Sequence, residues 1–401
     1  NGEILSVQFA LYAAEDLTAA DGSVIPKDGL IEIVSCDENG KAVFTTDIPV
    51  GSSLYVKEYS TDEHYLISSK SYPVLFEYAG QDIETVYTSI NNGEAINNDL
   101  IRGSVMGKKV DEDGFAVGGA VFGLFKAGET EFTDETALMT AESNEIGVFL
   151  FEDVPYGNWL IRELKPAPAF VLNENVYPVT VSENEETVEI TVENRFITGA
   201  VQTTKVDAEY PDNKLTGAVF EVYIDADGNQ EFDPDIDRPV GEMNEIEDGV
   251  YRMDGLRYNG YFLHEKSSPE GFLKDENYHY FEIRNDGETV IVENEAGVGF
   301  VNQPITGELK ITKKDISDGK LLPGVGFCIK NDKGEIVAEG YTDKNGIAEF
   351  TLRYGKYTYQ EFDPLDGYQP DETEYPFEIK EDGEIIKAEM TNERIPTPDI
   401  P

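Results

Sequence analysis

One nine-residue pattern occurs three times along the chain and constrains its fold more than any other feature: a glycine, five residues, then Lys-x-Asp. It reads Gly103-Ser-Val-Met-Gly-Lys-Lys109-Val-Asp111, Gly199-Ala-Val-Gln-Thr-Thr-Lys205-Val-Asp207 and Gly307-Glu-Leu-Lys-Ile-Thr-Lys313-Lys-Asp315. Alternate residues of a strand share a face. If each copy is a strand, Lys109 lines up with Val105 and Gly107, Lys205 with Val201 and Thr203, and Lys313 with Leu309 and Ile311. A cation in line with core-facing residues needs a partner, because burying a charge alone is costly.

Each copy is followed by an apolar strand: Ala120-Val-Phe-Gly-Leu-Phe125, Ala218-Val-Phe-Glu-Val-Tyr223 and Val325-Gly-Phe-Cys-Ile329. Val7-Gln-Phe-Ala-Leu-Tyr12 is a fourth relative with no lysine strand before it. The first unit is therefore expected to lack its first strand and to leave an open sheet edge. Asn1-Gly2 at one end and Ile395-Pro-Thr-Pro-Asp-Ile-Pro401 at the other read as the cut ends of a longer protein.

Two further signals recur in register with the first. A strand ending in Glu precedes a Pro-containing turn at Tyr156–Glu163, Tyr261–Glu265 and Tyr357–Glu361, and Leu54–Glu58 is its counterpart in the first unit. A closing strand ends in Asn at Ile190–Asn194, Phe300–Asn302 and Ala388–Asn392. The offset from the next glycine selects Asn98 in the first unit. Period two places Glu163 with Trp159 and Ile161, and Asn194 with Ile190 and Val192, so both polar groups are expected to face inward.

These repeats divide the 401 residues into units at 1–102, 103–198, 199–306 and 307–401, the last carrying a Pro-rich tail. Units of this size with several short strands, many Val, Ile, Thr, Tyr and Phe, and no sustained helical period predict an all-β chain: a tandem array of four β-sandwich domains. The connections Phe196-Ile-Thr-Gly199 and Gln303-Pro-Ile-Thr-Gly307 are short, which predicts a rod with limited bending. A formal net charge of -49 disfavours nucleic acid and anionic membranes as partners. No apolar run approaches the length of a membrane span. Cys36 and Cys328 are the only cysteines, which excludes a disulfide framework, and both read as small core residues.

Burial dictates what Lys, Glu and Asn can do together. An apolar surround lowers a lysine pKa and raises a glutamic acid pKa. A neutral amine is a nucleophile. A protonated carboxyl can hydrogen-bond the Asn carboxamide oxygen and shuttle protons. Attack by the amine with loss of ammonia leaves a Lys–Asn amide, and the fold supplies the proximity. For one domain seen alone, a buried Lys–Glu ion pair completed by Asn is the favoured account. The threefold recurrence, always with Asn in the last strand, favours the cross-link. The first domain has Glu58 and Asn98 but no lysine in the equivalent strand; Lys27 and Lys41 sit in turn-like contexts.

These residues resemble the Cna B-type, SpaA-like repeats of Gram-positive surface proteins and pilins, over nearly the whole chain. The resemblance implies transthyretin-like or inverse-immunoglobulin-like sandwiches. It also implies autocatalytic bonds Lys109–Asn194, Lys205–Asn302 and Lys313–Asn392, with Glu163, Glu265 and Glu361 as the respective proton shuttles. Pro166-Ala-Pro168-Ala-Phe170 departs from the family's turn in having no glycine before its aromatic residue. The C-terminal tail is similar to the spacer before a sortase signal, which implies an extracellular protein anchored to the cell wall by a signal outside these residues. A polymerising pilin motif has its nearest match at Tyr210-Pro-Asp-Asn213, with Asp212 in the lysine position and Lys214 close by. That favours a structural stalk of an adhesin or pilus-associated protein. The alternative is an adhesin region whose loops and acidic faces bind a host or matrix protein or a glycan.

Asp225-Ala-Asp227-Gly-Asn229-Gln-Glu231-Phe-Asp233-Pro-Asp235-Ile-Asp237 alternates oxygen ligands. Asp225, Asp227, Asn229 and Asp233 make calcium a candidate ligand, and an acidic solvated hairpin is the competing reading. No other cofactor is required. His64, His264 and His279 are scattered, and His264 is expected to face solvent because it alternates with Glu265. No motif supports turnover catalysis, so the chain is expected not to be an enzyme beyond the single intramolecular reaction.

Overall fold

A computed structural model describes residues 2–19, 21–75, 77–294 and 296–396. Most of the tail singled out above, residues 397–401, lies outside them. By internal contacts the chain divides into two units, residues 1–195 and 196–401, and each is taken by itself.

The chain is all-β apart from a four-residue helix, Gly2–Leu5, and a short 3-10 turn at Asn91–Gly93. Residues 102–194 form two facing sheets. One has three strands in the order Val148–Pro155, Arg102–Asp111, Thr187–Asn194. The other has four, in the order Tyr177–Val181, Gly157–Lys165, Val121–Lys126, Met139–Glu142. The core between them includes Val105, Phe122, Leu124, Phe149, Ile161, Val181 and Val192.

Residues 306–392 repeat this arrangement. Ile347–Arg353, Thr306–Asp315 and Ile385–Asn392 form one sheet; Ile336–Tyr341, Gly326–Asn331, Gly355–Asp363 and Tyr375–Ile379 form the other. Residues 198–302 do so with two variations, the first an added edge strand, Asn244–Glu247, beside Val250–Arg257. Thr198–Asp207 again lies centrally beside Val250–Arg257, but its other neighbour is split into Thr289–Ile291 and Phe300–Asn302. The two pieces pair with Ala200–Gln202 and Lys205–Asp207 respectively.

The expected alternation holds on two of the three glycine–lysine strands, while Thr198–Asp207 also buries Ala200 and Val206 from its other face. In Arg102–Asp111 the buried residues are Gly103, Val105, Gly107, Lys109 and Asp111; in Thr306–Asp315 they are Gly307, Leu309, Ile311, Lys313 and Asp315. Gly107 is a packing necessity: a Cβ there would lie 1.9 Å from the Phe149 ring, which itself stacks on Phe122 at 3.8 Å between centroids.

Residues 2–101 differ. They form the four-stranded sheet Leu30–Ser35, Gln8–Ala13, Ser53–Ser60, Ser71–Leu75 and a two-stranded ribbon, Leu17–Thr18 with Val24–Ile25. Among the described residues no three-stranded sheet faces them. In each of the other three domains the glycine–lysine strand is the shared neighbour of the two strands beside it, and among the described residues of this stretch no strand takes that place.

Candidate functional site

The lysine and asparagine of each domain meet because their strands run parallel in one register. Lys109 pairs with Val192 and Asp111 with Asn194; Lys205 pairs with Phe300 and Asp207 with Asn302; Lys313 pairs with Met390 and Asp315 with Asn392. In every case the asparagine is two residues beyond the lysine's partner. That is the diagonal same-face neighbour, within reach of a long side chain.

The glutamate arrives from the opposite sheet, next to a bulge. Glu163 pairs with Phe122, Glu265 with Phe220, Glu361 with Phe327 and Glu58 with Phe9, and the register slips by one residue immediately beyond each. A bulge re-aims side chains and increases local twist. The three phenylalanines Phe122, Phe220 and Phe327 are each 0% exposed, so they wall the cluster from water.

In the third domain the cluster is fully connected. Glu265 Oε1 lies 3.1 Å from Lys205 Nζ and accepts from Asn302 Nδ2 at 2.8 Å, while Lys205 Nζ also donates to Asn302 Oδ1. The ammonium lies 4.3 Å from the centroid of Phe300. In the fourth domain Lys313 Nζ donates to Glu361 Oε2 at 2.9 Å, and Asn392 Nδ2 donates to Glu361 Oε1 at 2.7 Å. In the second, Asn194 Nδ2 donates to Glu163 at 2.8 and 2.9 Å, whereas Lys109 Nζ reaches the carbonyls of Val110 and Val192 at 3.3 and 3.4 Å. All three lysines are 0% exposed. Asn194 Oδ1 and Asn392 Oδ1 are buried with no hydrogen-bond partner, leaving each carboxamide oxygen unsatisfied.

Burial pushes Lys109 and Lys205 down to about 8, although nearby Glu163 and Glu265 favour the ammonium. Burial raises Glu163 against the hydrogen bonds from Asn173 and Asn194. The carboxamides face the carboxylates through Nδ2. The expected hydrogen bond from a protonated Glu to the Asn oxygen is therefore not the one formed. The reason is geometric: the glutamate stands beside the nitrogen that would leave, and in two domains also beside the lysine that would lose a proton.

Two elements escaped the sequence reading. The backbone N–H ten residues after each glutamate donates to its carboxylate: Ser68 to Glu58 at 2.5 Å, Asn173 to Glu163 at 2.7 Å, Asp275 to Glu265 at 2.8 Å and Asp371 to Glu361 at 3.4 Å. The equal spacing was the available signal. The aspartates of Lys-x-Asp are the second. Asp111, Asp207 and Asp315 are buried and accept backbone amides of the turns that follow, from Asp113 and Phe115, from Glu209, and from Ser317.

Glu58 and Asn98 also come together: Asn98 Nδ2 donates to Glu58 Oε1 at 2.6 Å and to Thr61 Oγ1 at 2.7 Å. His264 corrects the expectation of solvent exposure. It is buried, stacked on Tyr278 at 4.1 Å, with Nδ1 3.1 Å from the Asn277 carbonyl. Its face of the sheet is covered by neighbouring aromatic side chains. In the acidic loop, Asp225, Asp227 and Asp237 bring carboxylate oxygens within 4.8 Å of one another. Asn229 donates to Asp227, and Asp233 accepts the Asp235 amide, so the loop groups Asp237 with the first two aspartates instead. Asp225 and Asp237 each take two backbone amides, which is how this loop is closed.

Tandem β-sandwiches, with a buried Lys, Glu and Asn in each complete one, define a class of repeated prealbumin-like domains. The SpaA prealbumin-like fold domain matches residues 103–195, 199–296 and 307–394, and the chain belongs to that family. Among solved structures, the Bacillus anthracis TIE protein is 25% identical with a TM-score of 0.63, over 97% of this chain and 69% of its own. BcpA, the major pilin subunit of Bacillus cereus, is 17% identical with a TM-score of 0.38, over 73% of this chain and 100% of its own. The full-length major pilin SpaD from Corynebacterium diphtheriae is 14% identical with a TM-score of 0.25, over 73% of this chain and 98% of its own. A search of curated proteins gave no match.

Proposed function

We propose that this chain is a load-bearing stalk of a Gram-positive surface or pilus-associated protein, built of domains that divide near residues 102, 198 and 306 and stiffened by internal amide bonds. The bonds are Lys109–Asn194, Lys205–Asn302 and Lys313–Asn392. The observation that carries this reading is the contact of Lys205, Glu265 and Asn302 in a site closed to water. Glu265 stands between the amine that must lose a proton and the nitrogen that must gain one. Neutral Lys205 attacks Asn302 Cγ, Glu265 takes the amine proton and gives one to Nδ2, and ammonia leaves. Proximity replaces an external enzyme, and no cofactor enters.

The position of the bond supports a mechanical role. Tension entering a domain at its first strand and leaving at its last would pass directly through the amide. The residues between, such as 110–193, would be bypassed. The surface setting, extracellular and wall-anchored, is part of this proposal and is supported by the family of the three prealbumin-like domains. Intact mass tests the reading. The expected value is the calculated chain mass less three ammonia molecules; a mass equal to the unmodified chain overturns it.

A further inference from the structure

We propose that the residue ten places beyond each glutamate, Asn173, Asp275 or Asp371, is a positioning residue for the amide bond of its domain, and that its charge, absent at Asn173 and present at Asp275, shifts the pH at which the neighbouring lysine reacts. This rests on the amide chemistry proposed above. It adds a residue to each site and a reason for the domains to differ.

The segment after each glutamate ties the reacting groups together. Eight residues on, a backbone N–H donates to the carbonyl just past the asparagine: Val171 to Arg195 at 3.0 Å, Leu273 to Gln303 at 2.8 Å and Gln369 to Glu393 at 2.9 Å. Ten residues on, the backbone N–H donates to the glutamate itself. One short segment thus spans the strand that ends in Asn and the carboxylate that must serve it.

The side chain at the tenth place holds this segment in shape, in the same way each time. One oxygen accepts the amide two residues on: Asn173 from Asn175 at 2.9 Å, Asp275 from Asn277 at 2.9 Å and Asp371 from Thr373 at 3.0 Å. The other polar atom meets a ring four residues on. Asn173 Nδ2 donates to Tyr177 OH at 3.0 Å, Asp275 Oδ2 lies 2.7 Å from His279 Nε2, and Tyr375 OH donates to Asp371 Oδ2 at 2.8 Å. Asn and Asp close such turns by standing in for a backbone carbonyl. Asn173 Nδ2 also donates to the Glu193 carbonyl at 2.7 Å, beside Asn194.

What changes between domains is the charge. Burial would raise the Asp275 carboxyl, but hydrogen bonds from Asn277 and His279 hold it below its usual range, so it is an anion at neutral pH. Burial lowers Lys205, and Glu265 and then Asp275 favour its ammonium. Around Lys109 the opposing charges are Glu163, Glu193 and Asp111, and the neutral Asn173 adds none. Other titratable groups border the third-domain cluster. His279 stands edge-on to Phe300 at 4.7 Å, and Asp207 lies two places beyond Lys205 on the same strand, paired with Arg353. Tyr251, against Phe220, is pushed up to about 12 by burial and stays neutral. Lys274 and Glu276, on either side of Asp275, pair with each other at 2.7 Å. The lysines sit accordingly. Lys205 Nζ is 3.1 Å from Glu265 and Lys313 Nζ 2.9 Å from Glu361, whereas Lys109 Nζ reaches the carbonyls of Val110 and Val192. A carboxylate at the tenth place draws the ammonium toward the glutamate and keeps its proton on to higher pH; a carboxamide does not.

The test uses the full chain, recovered unfolded before any amide forms and refolded across pH. Time-resolved peptide mapping follows ammonia loss at Asn194, Asn302 and Asn392 separately. Asp275→Asn keeps the oxygen that closes the turn and removes the charge. Its reaction at Asn302 should reach the same plateau rate with a midpoint about one pH unit lower, so that well below the midpoint it runs about tenfold faster. Asn173→Asp should raise the midpoint at Asn194 by a similar amount. Asp275→Ala loses the turn as well as the charge, and its plateau rate at Asn302 should fall by about tenfold or more, with Asn194 and Asn392 unaffected. A turn with a structural role alone would change stability and move neither midpoint. Unmoved midpoints in both charge variants overturn the charge role, and a full plateau rate in Asp275→Ala overturns the positioning role. The two charge variants keep the turn, so they decide the matter even where the alanine chain does not fold. Absence of ammonia loss from the unsubstituted chain overturns the amide reading and this proposal with it, whereas loss there with unchanged variants overturns this proposal alone.

Discussion

Arg353 closes two guanidinium nitrogens on the buried carboxylate of Asp207, at 2.7 and 3.0 Å. The two residues belong to successive domains of one unit. Asp207 closes the glycine–lysine strand two positions beyond Lys205, so the domain joint is built onto the same strand as the reactive lysine. Arg353 also pairs with Glu209 and lies 4.9 Å from the Tyr210 ring centroid, while Tyr354 OH donates to Glu270 at 2.7 Å. The segment that most resembles a pilin polymerisation motif is thus partly engaged at a joint.

Replacing Arg353 removes a bidentate charged pair and leaves Asp207 short of a counter-ion. Arg353→Ala is expected to destabilise this unit by about 1.5–3 kcal/mol, the range for hydrogen bonds to charged groups. Denaturant unfolding checks it; an unchanged midpoint removes the joint from the energetics. Burial would raise the Asp207 carboxyl, but the Arg353 hydrogen bonds hold it below its usual range. Its stabilising contribution is therefore present above about pH 4 and is lost as pH falls through the lowered folded value. In Arg353→Ala that acid loss should begin at higher pH.

Lys205→Ala should restore one ammonia to the intact mass and leave the other two bonds in place. Glu265→Gln should do the same while keeping Lys205 and Asn302. Closing a loop of this length corresponds to about 4–5 kcal/mol by the chain-entropy model for disulfides. The third domain alone should therefore melt markedly earlier in either variant. Calorimetry resolves this, and an unaltered thermogram counts against the bond.

Amide formation should depend on pH in a defined direction. An ammonium has no lone pair, and burial holds Lys109 and Lys205 down to about 8. In chain recovered unlinked and then refolded, the rate of ammonia loss should climb up to about pH 8 and level off. Time-resolved mass spectrometry across pH reads the rise. A rate independent of pH between 6 and 9, roughly the span over which such amines titrate, contradicts the mechanism.

Gly107→Ala should damage the second domain although glycine-to-alanine changes in strands are usually mild. The new Cβ meets the Phe149 ring at 1.9 Å, and Phe149 stacks on Phe122, the residue opposite Glu163. Overpacking of this kind costs about 1–3 kcal/mol. It should also slow formation of the Lys109–Asn194 bond relative to the other two. Equal rates in all three domains would show that the aromatic wall does not position the glutamate.

Much of the fold was legible because alternation is local. Lys109, Lys205 and Lys313 fall on the buried face by counting, and Glu163 and Asn194 follow by the same rule. His264 was misread because counting assigns a face but cannot say what covers it; Tyr278 does. The acidic loop brings Asp237, which the spacing-based set does not include, beside Asp225 and Asp227. Its backbone amides, satisfied by Asp225 and Asp237, decide which carboxylates converge.

By itself the sequence determined which residues point inward and how often the pattern returns. Only the tertiary structure decided that Asn302 stands one diagonal step from Lys205, that a bulge turns Glu265 between them, and that the carboxamide presents its nitrogen to the carboxylate. Side-chain alternation is a property of one strand. Register, bulge and orientation depend on strands brought together from nearly the full length of a domain, and no local pattern encodes their relative position.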